Sequence, residues 1–313
     1  MSAALRRDLG FRAFPPWQPE IHMASKAQQR RHIQNSSNHQ QEIVKIIQRV
    51  ARRFGVDRVW RDWIEICAIA LAKLDLSRAE ARETRYLEVV GRYERDELDL
   101  LVQAFAHLQL EFQTLVEHGD FADVLGATYM MLDLGNAETG QFFTPYCVSR
   151  LMAGMIMGSR EDLAATVAQR GFVRVHEPAV GAGGMVVAAA QAIRDVGVDY
   201  WDCMHVSAID VDLRCVHMAY IQFTLLGIPA VVVHGNALTL AEWDHWYTVA
   251  HIANGWSERL RLRRMADQML DVISSTDIQT RKEAGPAPAV AAVPAQPEAV
   301  LVEPARAGQM MLF

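Results

Sequence analysis

Apolar residues recur every three or four positions through the first part of the chain: Ile43, Ile46, Ile47, Val50 and Phe54, then Val59, Trp60, Trp63, Ile64, Cys67, Ala70 and Leu71. In a helix that spacing puts side chains on one face, so the pattern predicts amphipathic helices. Ser77 with Glu80 has the form of a capping box ahead of Tyr86, Leu87 and Val90. In such a box a hydroxyl and a carboxylate three residues apart satisfy each other's backbone amides. Leu98, Leu101, Phe105, Leu108, Phe112 and Leu115 carry the rhythm on to Gly119. The stretch from about 39 to 134 therefore reads as four or five helices.

Beyond about 140 the rhythm changes. Short β-branched runs at 172–176, 205–209, 230–233 and 247–252 alternate with helical stretches at 184–196 and 212–226. Strand, helix, strand in that order predicts a mainly parallel sheet with right-handed crossovers. Both flanks are different in kind. Residues 1–38 combine Pro15, Pro16 and Pro19 with Arg6, Arg7, Arg12, Lys26, Arg30 and Arg31, a basic arm that is either a solvated tail or a phosphate contact. Residues 284–308 are Ala, Pro and Val, with Pro286, Pro288, Pro294, Pro297 and Pro304, too poor in large side chains for a core and read as a linker. The expected organisation is an arm (1–38), a helical domain (39–138), an α/β domain (139–283), the linker (284–308) and a terminal peptide (309–313).

Composition narrows the class. With 51% hydrophobic and 22% charged residues the 313-residue chain is globular, and 31 basic against 37 acidic residues leave a net charge of −6. That excludes a generally basic coat for nucleic acid, so any such surface must be local. Cys67, Cys147, Cys203 and Cys215 are scattered without a CxxC pair, which predicts no metal site and no disulfide framework and suits a reducing, cytoplasmic setting. No apolar run of about 18 residues suggests a membrane span, and no signal peptide is indicated.

The chemical signal is Glu177-Pro178-Ala179-Val180-Gly181-Ala182-Gly183-Gly184, which follows a predicted strand and opens a helix. Glycines there let backbone approach a ligand and present amides at a helix N-terminus, although such a turn also serves packing alone. Asp210 ends the next strand, 26 residues beyond Gly184 (210 − 184), where an acid in a nucleotide-binding α/β fold accepts ribose hydroxyls. Asp212 fits a helix N-cap. Upstream, Gly140-Gln141-Phe142-Phe143-Thr144-Pro145 precedes an apolar helix from Tyr146 to Met157, with Thr144 expected at the N-cap and Pro145 at the first helical position.

These elements, with Ser207-Ala208-Ile209-Asp210 and His234-Gly235-Asn236-Ala237-Leu238, resemble in order the adenine-N6 DNA methyltransferases, most closely the modification subunits of type I restriction systems, over roughly 40 to 254. The resemblance implies a helical N-terminal domain and a Rossmann-like domain that binds S-adenosylmethionine. Phe143, Thr144 and Pro145 would flank the methionine end. Glu177, Gly181 and Gly183 would line the methionine and ribose portion, and Asp210 would hold the ribose hydroxyls. Asn236 stands where the family has an acid that reads the adenine ring of the cofactor, and an amide there lacks charge assistance.

The chain also departs from that family. Its chemistry needs Asn or Asp-Pro-Pro-Phe or Tyr after the fourth strand, to polarise the target amine and stack on the flipped base. No Pro-Pro pair follows Pro16, and the positional candidate is Ala253-Asn254-Gly255-Trp256. Asn254 would orient the amine of a flipped adenine for direct in-line methyl transfer; the other reading is a loop with Trp256 in the core. The family's sheet has seven strands, so this domain is truncated. The resemblance thus implies either an enzyme that depends on a partner, such as a specificity or second modification subunit, or a catalytically silent binding protein. Arg259, Arg261, Arg263 and Arg264 form a phosphate patch or the wet face of an amphipathic helix. The last residues, Gln309-Met310-Met311-Leu312-Phe313, resemble peptides that bind the bacterial β sliding clamp, with Gln309, Leu312 and Phe313 as the contacts.

Overall fold

A computed structural model describes residues 36–135, 143–283 and 309–311. Among the described residues five α-helices come first: α1 (Asn38–Phe54), α2 (Val56–Leu71), α3 (Ala79–Val90), α4 (Arg95–Glu117) and α5 (Val124–Met131). The apolar stripe read from the sequence is the buried side, with Ile43, Ile47, Val59, Trp60, Trp63 and Ile64 out of solvent. Trp63 Nε1 donates to Leu101 O at 3.1 Å and ties α2 to α4. The box expected at Ser77 and Glu80 does not form. Asp75 accepts from Ser77 N and Oγ at 3.2 and 2.6 Å, so Ser77 is drawn into a 3-10 turn and α3 starts without a side-chain cap. A capping box forms one helix later, between Glu94 and Glu97.

The second part runs α6 (Tyr146–Met157), α7 (Arg160–Arg170), β1 (Val173–Glu177), α8 (Gly184–Asp195), α9 (Tyr200–Cys203), β2 (Met204–Asp210), α10 (Leu213–Leu225), β3 (Ala230–Asn236), β4 (Ala241–Tyr247), α11 (Val249–Ala253), α12 (Trp256–Glu283) and β5 (Gln309–Met311). The sheet order is β4-β3-β2-β1-β5. β1, β2 and β3 are parallel, with Val173 opposite Met204 and Val206 opposite Ala230. This is the α/β class expected, a Rossmann-like sheet of mainly parallel strands beside a helical half. α2 and α5 pack on α10, and the buried residues of both halves form one continuous core.

The fourth strand corrects the sequence reading. β4 lies upstream of 247–252 and runs antiparallel to β3, with Val231 opposite Tyr247 and Asn236 opposite Ala241. Asn236 Oδ1 accepts from Leu238 N and Thr239 N at 2.9 and 3.1 Å, a side-chain turn that sends the chain straight back along β3. Thr248 Oγ1 then accepts from His251 N and caps α11, so the apolar run after Tyr247 becomes a helix.

At the other end of the sheet, β5 pairs in parallel with β1, Arg174 opposite Gln309 and His176 opposite Met311. Gln309 is thus part of a strand; Leu312 and Phe313, the arm and the linker lie outside the described residues. Three of the four clustered arginines are paired: Arg259 with Asp202 at 2.9 Å, Arg261 with Glu258 and Arg263 with Asp267 at 2.9 Å. No described helix is long and apolar enough to cross a membrane. The described residues hold no His, Cys, Asp or Glu cluster suited to a metal ion, and the four cysteines are free.

Candidate functional site

The site is built where β1 and β2 end. Gly181 and Gly183 adopt φ of 54° and 101°, the left-handed region that costs any other residue strain. A Cβ at Gly183 would stand 2.6 Å from the Phe223 ring, and one at Gly181 would stand 3.1 Å from Phe143. Both the backbone angle and the space therefore require glycine. Val180 N donates to Ile209 O at 2.9 Å and fastens the turn to the end of β2.

Two carboxylates face each other across this turn. Asp210 Oδ2 accepts from Gly181 N and Oδ1 from Asp212 N, both at 2.9 Å. Glu177 Oε1 accepts from Ala179 N at 3.1 Å, while Oε2 is buried with no partner among the described residues. Burial pushes the Glu177 carboxyl up to about 7, against the Ala179 hydrogen bond and helped by the neighbouring Asp210 charge. Asp210 is raised as well, by burial first, with the Asp212 and Gly181 amides opposing. A carboxylate held in this way gains by meeting a cation or a hydroxyl donor.

The two acids, Phe143, Thr144 and Gly181 line one cleft of about 920 Å3. It opens at the carboxyl ends of the parallel strands, the edge at which α/β sheets bind ligands. Gly183 lies beneath the turn as the cap of α8. Pro145, not Thr144, occupies the cap position of α6, and no side chain caps that helix; Pro145 is not in the cleft wall. Asn236 is turned to Leu238 N and Thr239 N and does not line the cleft, whereas His234, two residues earlier, does. Asp212 caps α10 as expected, accepting from Arg214 N at 2.9 Å.

Asn254 is not brought to this site. Because β4 runs back along β3, its end lies beside the start of β3. Asn254 follows α11 at that opposite edge and donates from Nδ2 to Trp201 O at 3.2 Å. Trp256 is fully buried, edge-on to Phe172 at 5.0 Å between centroids, the packed loop that was the other reading.

Asp123 was missed by sequence reasoning. It caps α5, accepting at Oδ1 from Gly126 N at 2.9 Å and from Gln222 Nε2 at 2.8 Å. Gln222 Nε2 also donates to Ala182 O at 2.7 Å, and its Oε1 accepts from Leu125 N at 3.2 Å. One buried amide thus links the helical half, the glycine turn and α10, and burial raises the Asp123 carboxyl. Its cap position before an apolar run was readable; its place in the cleft wall arises only from long-range packing. Ser149, also in the wall, has a buried Oγ without a partner among the described residues.

Comparison with known proteins finds similarity over the segment that holds this site. Residues 121–259 match the family described as N-6 DNA Methylase, a span that holds Asp123, the Phe143 segment, the glycine turn and Asp210. No curated protein matches the chain. Among solved structures, a class I S-adenosylmethionine-dependent methyltransferase from Listeria monocytogenes is 15% identical, with a TM-score of 0.30, covering 65% of this chain and 55% of that one. The match thus spans about half of that protein's length. S-adenosylmethionine is the cofactor that the family match implies. The similarity to the N-6 DNA methylase family thus covers residues 121–259, the stretch that builds the cleft.

Proposed function

We propose that the cleft binds S-adenosylmethionine and that the chain serves adenine-N6 methylation of DNA together with a second polypeptide. The observation that carries this reading is the pair of carboxylates, Glu177 and Asp210, at the ends of adjacent parallel strands with a glycine turn between them. Glu177 Oε2 and Ser149 Oγ are buried polar atoms in the wall without partners among the described residues, which fits a ligand carrying ammonium and hydroxyl groups. Glu177 and Ser149 would take the methionine end beside Phe143 and Thr144, and Asp210 the ribose hydroxyls. S-adenosylmethionine, when bound, supplies an electrophilic methyl group. The chain's own part is to bind, orient and exclude water: Phe143 covers Gly181 and leans on Tyr129 at 5.3 Å between centroids.

What this edge of the sheet holds supports the part of the reading that calls for a second polypeptide. Among the described residues no Asn-Pro-Pro-aromatic segment stands at the carboxyl ends of the strands, and Asn254 is at the opposite edge. Three of the four clustered arginines of α12 are engaged in ion pairs, and we assign the grip on duplex DNA to a specificity or second modification subunit. The position of Asn254 equally favours a catalytically silent S-adenosylmethionine-binding protein, one that reaches a sliding clamp through Gln309, Leu312 and Phe313. Tritiated methyl transfer to adenine-rich duplex DNA separates the two. We expect no incorporation by the chain alone and incorporation once the co-purified partner is added; none with partner and saturating cofactor leaves the silent reading. Deleting residues 309–313 should abolish clamp pull-down if the tail docks there.

A further inference from the structure

The two faces of the sheet differ in chemistry. Val175, Val206, Ala208 and Val232 share one face by register and are buried, and α10 packs on β2 and β3. The alternate positions turn the other way: Arg174 and His176 on β1, His205 and Ser207 on β2, and Val231 on β3. A parallel sheet ordinarily has both faces covered and its strands apolar throughout. A row of Arg, His and Ser across the middle strands is a departure that packing does not explain.

Between this second face and α12 lies a groove of about 390 Å3, within the size range of small-molecule sites. Arg174, His176, Ser207 and Arg264 form its polar side, and Val231 with Leu260 its apolar side. His205 is already engaged, its Nε2 with His251 Nδ1 at 2.9 Å. His176 and Ser207 stand opposite each other in register. Neither they nor Arg264 makes a side-chain hydrogen bond or ion pair among the described residues. The polar atoms of His176 and Ser207 are not shut off from solvent, and Arg264 is exposed. These three groups are therefore both unpaired and within reach of a ligand.

Charge decides what kind of ligand suits them. Arg263 holds Asp267 at 2.9 Å, Arg174 lies 3.7 Å from the same carboxylate, and Glu242 is taken by His245 Nε2 at 2.9 Å. Arg174, Arg263 and Arg264 thus stand against Asp267 and Glu242, which leaves one positive charge in surplus beside an imidazole and a hydroxyl. Such a set suits an anion rich in acceptor oxygens. A carboxylate offers two oxygens, whereas a phosphate monoester offers three and can meet Arg174, Arg264 and the His176–Ser207 pair together. The apolar side suits a hydrocarbon body carried by that phosphate.

We propose that this groove binds a small organic phosphate monoester, its phosphate held by Arg174, His176, Ser207 and Arg264 and its body lying on Val231 and Leu260. The groove shares no lining residue with the cofactor cleft, so the site is independent of the methylase reading. It also gives a role to Arg264, the member of the arginine cluster without an ion pair among the described residues.

The test uses the full-length chain with phenyl phosphate as probe, read by saturation-transfer NMR on its ring protons, with thermal melting as a check on folding. Wild type should give transfer that inorganic phosphate reverses, and phenol should give none. Arg264→Gln, at an exposed position with no ion pair to lose, should weaken phenyl phosphate about tenfold. Ser207→Val fills the groove from a half-buried strand position and should abolish transfer with the melting temperature unchanged. No transfer from wild type overturns the proposal, and so does transfer that both variants leave unchanged. Equal transfer to phenol also overturns it, in favour of a merely apolar patch. Displacement by a short DNA duplex at a lower phosphate concentration than inorganic phosphate requires overturns it in favour of a nucleic-acid backbone contact.

Discussion

The two edges of the parallel sheet contain similar side chains used in opposite ways. At the edge where β2 and β3 begin, His205 Nε2 pairs with His251 Nδ1 and His251 Nε2 with Ser257 Oγ, each at 2.9 Å. Thr248 Oγ1 donates to Ile228 O at 2.8 Å and accepts from Ala230 N at 2.9 Å, and Asn254 donates to Trp201 O. Imidazole, hydroxyl and amide there bond to one another and to backbone, which anchors α11 and α12. At the edge where β1 and β2 end, Glu177 keeps a buried acceptor unpaired and the turn beside it is open to a 920 Å3 cleft. Reactive residue types are thus no guide to function by themselves; what marks the carboxyl-end edge is a buried carboxylate oxygen left unpaired beside an open cleft.

The sharpest way to break that contrast is at Gly183. Gly183→Val puts a side chain at φ 101° and against Phe223, and should cost about 2–4 kcal/mol of stability and abolish S-adenosylmethionine binding, read by urea denaturation and calorimetry. Gln222→Leu strips the buried Asp123 carboxyl of its amide donor and Ala182 O of its partner, and should destabilise by about 1–3 kcal/mol.

A titration sharpens the contrast further. With the folded Glu177 pKa at about 7 and the unfolded value near 4.5, ionised Glu177 is a burden on the folded chain above pH 7. That burden is relieved as pH falls toward 4.5, so this group makes the apo protein more stable on the acid side. Cofactor affinity has the opposite sign, because a cationic ligand prefers the carboxylate. Affinity should fall about tenfold per pH unit below 7, and Glu177→Gln should bind weakly with no such slope. A flat profile in wild type would remove Glu177 from the binding set. The smallest effect belongs to the other edge: Asn254→Ala should change stability by no more than about 0.5 kcal/mol and leave the affinity unchanged.

Much of this was legible along the chain because it is encoded locally. The stripe from Ile43 to Leu71 gave two helices, β-branched runs gave β1 to β3, and the Glu177–Gly184 turn with Asp210 gave the cleft, since strand ends and glycines carry their own signature. The direction of β4 was not legible. It depends on the Asn236 side chain closing a tight turn, and the apolar run after Tyr247 suits strand and helix alike. That single reversal decides where Asn254 lies, so a local ambiguity carries over to the position of the candidate catalytic residue. Asp123 and His234 were missed for a related reason: they reach the cleft through packing between distant segments, which no spacing along the chain records.

The most direct measurement of the central claim is calorimetric titration of S-adenosylmethionine into wild type, Asp210→Ala and Asn254→Ala at pH about 8, above the Glu177 pKa. The predicted result is binding by wild type and Asn254→Ala with equal affinity, and at least about tenfold weaker binding by Asp210→Ala. Equal binding by Asp210→Ala, or no heat from wild type, would contradict the assignment of the cofactor to the carboxyl ends of β1 and β2.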